Sequence, residues 1–470
     1  MLIEPAHELT LTRLKKKAQH RVLINNLSHE GRGITTLAGQ KVFVSGALPG
    51  EEVTIELLGR RKKIWQAQVV HIHSNSIDRV EPPCASYKRC GGCSLQHMSL
   101  AAQRQFKSAT LLEQLQHFGN ISLEQLEPTL VTEGLDYRTK ARLGVRFVHK
   151  KNKVLVGFRE RQAPWLADMA ICEVLDWRVG HRLDTISAQL FELQARAEIA
   201  QIEVACSADE VALVLRNLVP LEAADRAQLI EFAKQHEFSL YLQPGGPETV
   251  QPLWPETAKL LHYSVAGQQL EFKPLDFTQI NPALNRQMVS RAIDWLDLST
   301  DDVVMDLFCG LGNFSLPIAQ HCAKVIGVEG TAAMVERAQH NAHLNGLTNC
   351  EFYVFDLMAA KDLTALPWEA LKGAKLLLDP PRSGAEALVE QLAARTRYAL
   401  AHSQTPPVDR IVYVSCNGAT FARDAALLQA GGFVCVKAGM MDMFPHTHHF
   451  ETMALFERAP SLAASQSQGL

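Results

Sequence analysis

Apolar and polar residues alternate in three ways along the chain, and the changes of period mark its parts. Residues 20–34 and 41–73 alternate with a period near two and are punctuated by Gly31, Gly33, Gly39, Gly46, Pro49-Gly50 and Gly59. Short strands between turn residues predict a small barrel of the OB type over about 1–75. Residues 99–119 read as a helix. Over 135–275 the pattern is mixed: strands near 142–149 and 154–161, a helix near 177–198, and a loop at Pro244-Gly245-Gly246-Pro247. From residue 276 it becomes regular. Apolar runs at 303–308, 323–329, 351–356, 374–381, 410–416, 433–440 and 451–458 are separated mostly by amphipathic helical stretches. Strand–helix alternation predicts a mostly parallel α/β sheet covered on both faces, whose ligands bind at the carboxyl ends of the strands. The expected parts are 1–75, 76–275 and 276–470, consistent with 470 residues being more than one core usually serves.

Charge sharpens this division. The whole chain carries a net charge of −3, which by itself argues against a nucleic-acid partner. Yet residues 1–163 hold 25 Lys and Arg against 14 Asp and Glu, a net of +11, and the remainder carries −14. A basic arm on an acidic body suggests nucleic-acid binding. The clusters Lys15-Lys16-Lys17 and Arg60-Arg61-Lys62-Lys63, the second beside Trp65, suit a phosphate-and-base surface; a charged hairpin tip is the plainer alternative. No run of eighteen apolar residues occurs, so no membrane helix is expected, and residues 1–20 show no apolar leader. The expected setting is a cytoplasmic monomer.

Ten cysteines in such a setting predict ligands, a nucleophile and packing residues rather than disulfides. Cys84, Cys90 and Cys93, with Cys172 further on, form one constellation. Four thiolates hold either zinc or an iron–sulfur cluster, and spacing alone does not choose.

The candidate chemistry lies at the ends of the later apolar runs. Asp306-Leu307-Phe308-Cys309-Gly310-Leu311-Gly312-Asn313-Phe314 is a glycine turn between strand and helix. It lets a ligand approach the backbone. Glu329, ending the next strand, is placed for ribose hydroxyls, and Asp356, ending the third, for an adenine amino group. Ser315 stands where a dinucleotide fingerprint would have its third glycine, which favours S-adenosylmethionine over a dinucleotide. Asp379-Pro380-Pro381-Arg382 and Val414-Ser415-Cys416-Asn417 end two further strands, and Glu451 begins the last. A thiol and a carboxylate facing a methyl donor suit carbon-5 methylation of a uracil, which needs a nucleophile for carbon 6 and a base for the carbon-5 proton. Cys309, by contrast, reads as a packing residue. An amino-directed methyltransferase would need an aromatic where Arg382 stands. A DNA cytosine methyltransferase would carry proline where Ser415 stands. An RNA-binding iron–sulfur protein without activity would not need Cys416 with Glu451.

These motifs, together with Phe277-Thr278-Gln279-Ile280-Asn281 and Pro445-His446-Thr447 through Glu451, resemble the RNA (uracil-5-)-methyltransferases that act on 23S rRNA and tRNA. The resemblance implies a Rossmann-like class I methyltransferase domain, an N-terminal TRAM barrel and a central α+β iron–sulfur domain. It implies that Gln279, Phe308, Asn313, Glu329, Asp356 and Asp379 line the S-adenosyl-L-methionine and target site, and that Phe277 stacks on a base. Cys416 would be the nucleophile and Glu451 the base. Cys84, Cys90, Cys93 and Cys172 would hold a [4Fe-4S] cluster, and the partner would be a uridine of 23S ribosomal RNA. Two positions depart from the family pattern: Gly418 replaces a proline and Phe450 a β-branched residue.

Overall fold

A computed structural model describes residues 14–123, 126–257, 260–359 and 373–458. The segment expected to lack a leader lies, over residues 1–13, outside them. The chain forms two compact units. One comprises the chain up to Tyr87 with Cys93–Gln103 and His446–His448, and the other Lys88–Gly92, Arg104–Pro445 and the chain from His449.

The first unit contains a six-stranded sheet in the order Gln19–Leu23, Glu52–Arg61, Ile64–Ser74, Gln40–Ser45, Gly33–Leu37, Asn26–Leu27. Its edges meet at one place. Ile24 N–H donates to the Glu51 carbonyl at 2.9 Å, and Asn25 N–H donates to the Ile34 carbonyl at 2.9 Å, so the first strand closes a barrel. Alternation along Glu52–Arg61 buries Val53, Ile55 and Leu57 fully, as a half-buried strand should. Trp65 belongs to this core at 7% exposure and donates from Nε1 to Gln40 at 3.0 Å. The expected aromatic surface beside the basic cluster is therefore absent at Trp65, because strand alternation turns that ring inward. Lys62 and Lys63 form the two-residue tip between paired Arg61 and Ile64, both at positive φ. The second basic cluster is thus, in part, a charged hairpin tip.

The second unit holds an eight-stranded sheet. Its order is Cys350–Val354, Lys324–Glu329, Val303–Leu307, Ala374–Leu378, Val408–Ser415, Glu451–Arg458, Phe433–Met441, Glu127–Leu130. The first five strands run parallel, and Glu451–Arg458 runs antiparallel to both its neighbours. All seven apolar runs expected from residue 303 onward are strands of this sheet. The eighth comes from earlier in the chain: Glu127–Leu130 pairs with Phe433–Met441. One face is covered by Pro282–Leu296 through Leu284, Met288 and Val289, the other by Leu388, Leu392, Phe421 and Leu428 with Leu111 and Leu115 of Leu100–Gly119. The start of Pro282–Leu296 follows from its sequence. Asn281 caps it by accepting from Leu284 N–H at 3.2 Å, and proline occupies the first turn.

The mixed middle segment forms a second six-stranded sheet, in the order Gln251–Trp254, Phe238–Leu242, Val211–Asn217, Ile199–Cys206, Lys140–Val148, Lys153–Gly157. The single helix expected near 177–198 is two, Trp177–Gly180 and Leu183–Glu192. At Gly180 a Cβ would lie 2.4 Å from the Cys172 carbonyl oxygen, so only glycine permits that approach. No helix among the described residues is long and apolar enough to cross a membrane.

Candidate active site

The parallel strands reverse their order between Val303–Leu307 and Ala374–Leu378, so a crevice opens at their carboxyl ends. A cavity of about 530 Å³ occupies it. Phe277, Gln279, Phe308, Glu329, Asp356, Asp379, Cys416 and Glu451 all line it, together with Arg382.

The glycine turn makes the floor. Phe308 has φ 68°, an uncommon state for a bulky residue, held because Phe308 and Cys309 N–H both donate to the Val328 carbonyl. Gly310 has φ 55°, and nothing lies within 4 Å of where its Cβ would stand, so its open side is available to a ligand. Its N–H donates to Glu329 Oε2 at 3.2 Å, while Gly330 N–H donates to Oε1 at 2.8 Å. Asp356 Oδ1 accepts from the N–H groups of Met358 and Ala359 at 2.9 and 3.0 Å. Both carboxylates are thereby fixed by backbone donors. Beneath the turn, fully buried Asp306 accepts from the Ser315 hydroxyl, and burial pushes its pKa up to about 7. Cys309 is buried with its pKa raised by burial, in keeping with a packing role.

Asn313 is not among the cavity-lining residues. Its Oδ1 accepts from Tyr263 Oη at 2.9 Å and Asn285 Nδ2 at 2.8 Å, and its Nδ2 donates to Asn285 Oδ1 at 3.0 Å. That exchange ties the glycine turn to Pro282–Leu296. Motif position alone could not tell a residue that faces the ligand from one that supports the turn.

The reacting wall is built by register. Ser415 pairs with Thr452, which sets Glu451, at the start of an antiparallel strand, beside the end of the strand that delivers Cys416. Phe277 is 69% exposed on a turn pinned by Lys140, whose Nζ donates to the carbonyls of Pro274, at 2.8 Å, and Asp276. Burial lowers the Lys140 pKa to about 8. The Asp379-Pro380-Pro381-Arg382 segment is clamped from the helix Gly418–Ala430. The Arg382 carbonyl accepts from Asn417 Nδ2 at 3.0 Å and Thr420 Oγ1 at 3.1 Å. Asp424 Oδ2 accepts from Ala385 N–H at 2.7 Å and Tyr413 Oη at 2.6 Å. A Cβ on Gly418 would lie 2.0 Å from Gln114 Oε1, the end of a side chain that would have to move, and 3.5 Å from Phe450. The two departures from the family pattern are thus neighbours.

Electrostatics couple the wall. Burial, then Glu451, pushes the Cys416 thiol up to about 11, against the pull of Arg382. Burial, then Asp379, raises the Glu451 carboxyl well above the usual range, and Arg382 again opposes. Burial raises Asp379 to about 7. Cys416 and Glu451 therefore share one guanidinium, and burial favours the protonated forms of these two groups and of Asp379. In the sequence Arg382 stands as part of the Asp-Pro-Pro-Arg motif, where an amino-directed methyltransferase would have an aromatic. Its signal was its charge, the one cation in the proline-fixed segment.

Cys84, Cys90 and Cys172 are buried and Cys93 is half-buried, so four sulfurs are largely withdrawn from solvent. That donor set suits a thiolate-held metal centre. Among the described residues, no group of three or more His, Cys, Asp or Glu is gathered as a metal site.

Comparison with known proteins places these features in a family. The tRNA (uracil-5-)-methyltransferase family profile matches residues 259–459, and the TRAM domain profile matches 16–70. The 23S rRNA (uracil(1939)-C(5))-methyltransferase of Hahella chejuensis is 46% identical over 458 residues, covering 95% of this chain and 99% of that protein. Its counterpart in Alcanivorax borkumensis is 45% identical, covering 93% and 96%. Among solved structures, the tRNA (uracil-54, C5)-methyltransferase of Pyrococcus abyssi, in complex with S-adenosyl-L-homocysteine, superposes with a TM-score of 0.69 at 21% identity. It covers 93% of this chain and 100% of that one, a likeness of fold. With a TRAM barrel at one end, a uracil-5-methyltransferase domain at the other and full-length relatives at nearly half identity, the chain belongs to the RNA (uracil-5-)-methyltransferase family.

Proposed function

We propose that this chain methylates carbon 5 of uridine 1939 in 23S rRNA, the target in the names of its full-length relatives. The observation that carries the chemistry is the shared cavity wall of Cys416, Glu451, Asp379 and Arg382 at the end of a methyltransferase sheet. S-adenosylmethionine, when bound, supplies an electrophilic methyl on a sulfonium. Glu329 and Asp356 would hold its ribose and adenine, over the open side of Gly310.

Cys416 gives its proton to solvent and attacks carbon 6, and the carbon 5–carbon 6 electron pair moves toward oxygen 4. Carbon 5 is then nucleophilic and takes the methyl group from the sulfonium, whose methyl–sulfur bond breaks to leave the neutral thioether of S-adenosylhomocysteine. Glu451, as carboxylate, removes the carbon-5 proton. The sulfur–carbon 6 bond breaks and the double bond returns. Arg382 opposes the burial that keeps both groups protonated. Phe277, exposed at the mouth, offers a face for a base taken out of its stack.

Cys84, Cys90, Cys93 and Cys172 would hold a [4Fe-4S] cluster, a reading supported by the four-cysteine donor set; no step of the reaction runs through it. Iron and sulfide analysis of anaerobically purified protein, with its visible absorbance, separates that cluster from zinc. The function itself is tested with Cys416→Ala. Methyl transfer from labelled S-adenosylmethionine to unmodified 23S rRNA should vanish while cofactor binding survives. Undiminished transfer would refute the assignment of Cys416.

A further inference from the structure

A second and larger cavity, of about 680 Å³, lies beside the first, and Phe277 lines both. It lies between the middle sheet and the turn that carries Phe277. Its walls carry four cations, Arg138, Lys140, Arg142 and Arg216, against two carboxylates, Glu203 and Asp276. Three of these cations come from the basic part of the chain before residue 163, and Arg216 joins them from the acidic remainder.

The charges are not equally committed. Arg142 is paired with Glu203, and Asp276 lies 3.6 Å from Arg337, so both carboxylates are answered. Lys140 is spent on the Pro274 and Asp276 carbonyls. Arg138 donates its Nε to the Lys140 carbonyl at 2.9 Å, and its terminal nitrogens make no further hydrogen bond among the described residues. Arg216 is exposed on Val211–Asn217 and makes no side-chain hydrogen bond or ion pair among the described residues. Two guanidiniums therefore stand in a concave site with no carboxylate paired to them among the described residues. The amides of Gln201 and Gln243 also line it, and such groups suit the edge of a base.

We propose that this cleft holds a nucleotide of single-stranded RNA next to the target uridine, with its phosphate on Arg138 and Arg216 and its base beside Phe277. The inference rests on the methyltransferase reading of the adjoining cavity. It makes Phe277 a partition: the flipped target on one side, its neighbour on the other. Guanidinium forks suit phosphate oxygens, a volume of this size admits one nucleotide, and single-stranded RNA is recognised through splayed bases.

The test combines the two sides of the contact. A 23S rRNA fragment spanning uridine 1939 is made with its natural backbone and with a neutral methylphosphonate at each linkage flanking the target in turn. Each is bound to wild-type chain, Arg216→Gln and Arg216→Lys over a range of salt. Arg216→Gln should weaken binding roughly five- to tenfold and flatten the logarithmic salt slope by about 0.7, as loss of one single-strand phosphate contact does. Arg216→Lys should keep most of that slope. At one linkage the methylphosphonate should cost wild type as much as the substitution does and cost Arg216→Gln nothing more. Cofactor binding should be unchanged in every variant, which excludes misfolding. Unaltered affinity and slope in Arg216→Gln, or losses that multiply at every linkage, would overturn the proposal. Methyl incorporation by wild type into the natural fragment is scored separately. Its absence would overturn the methyltransferase reading, whatever Arg216 does.

Discussion

Binding of S-adenosylmethionine should release protons, and binding of S-adenosylhomocysteine should release far fewer. Burial raises the Asp379 pKa to about 7, with Glu451 above the usual range beside it and Arg382 the cation that Glu451 shares with Cys416. At pH 7 Asp379 is then about half protonated. A sulfonium roughly 5 Å from that carboxylate, at an effective dielectric near 20, favours the anion by about 3 kcal/mol. That is about two pKa units, enough to bring Asp379 near 5 and release about half a proton at pH 7. The sign follows from the charge: a cation beside a raised carboxyl lowers it, so release grows as pH falls from 7 toward 6 and fades above 8. The two ligands share adenosine, amine and carboxylate, and differ only in the methyl and the charge on sulfur. Calorimetry in two buffers of different ionisation enthalpy, at several pH values, reads the proton count directly. Equal proton release for the two ligands, or release unaltered in Asp379→Asn, would refute the electrostatic account of this wall.

Other outcomes follow from the same geometry. Glu451→Gln should lower turnover by about 10²- to 10⁴-fold and accumulate a covalent RNA adduct on denaturing gels, because addition persists and elimination lacks its base. Asp424→Ala should cost roughly 2–3 kcal/mol in denaturant melts, since it strips fully buried acceptors from Tyr413 and Ala385. Gly418→Ala should cost about 1 kcal/mol or less in the same melts, since Gln114 is a flexible side chain that can swing aside. Adding Gln114→Ala should remove that cost.

Much of the catalytic half was legible because its strands are continuous apolar runs and its helices amphipathic, a contrast that survives in a single sequence. The crevice was legible for a related reason: glycine turn, proline pair and cysteine all follow such runs, and strand ends in parallel sheets converge. Glu127–Leu130 left no trace, since a four-residue edge strand without a fully buried position has no apolar signature. Trp65 misled because composition cannot say which face of a strand a ring takes, and one step of register decides it. Asn313 and Arg382 were hidden by contacts distant in sequence: Asn285 and Tyr263 draw the first away from the cavity, while Asn417 and Thr420 seat the second at it.

The pairing of Ser415 with Thr452 and of Met441 with Glu451 has a further consequence for how this reaction centre can vary. The base is located by counting along a ladder, whereas the connection before it, residues 442–450, carries no ladder of its own. Length changes in that connection would leave the count along the ladder unaltered but would break its buried anchors, Lys107 Nζ on Asp442 Oδ1 at 2.6 Å and on the Phe444 carbonyl at 3.0 Å, and so would cost stability. A single residue lost within the strand Glu451–Arg458 would slip the ladder by one and exchange its two faces. Deletions before the carboxylate should therefore lower stability, while deletions after it should move the base itself.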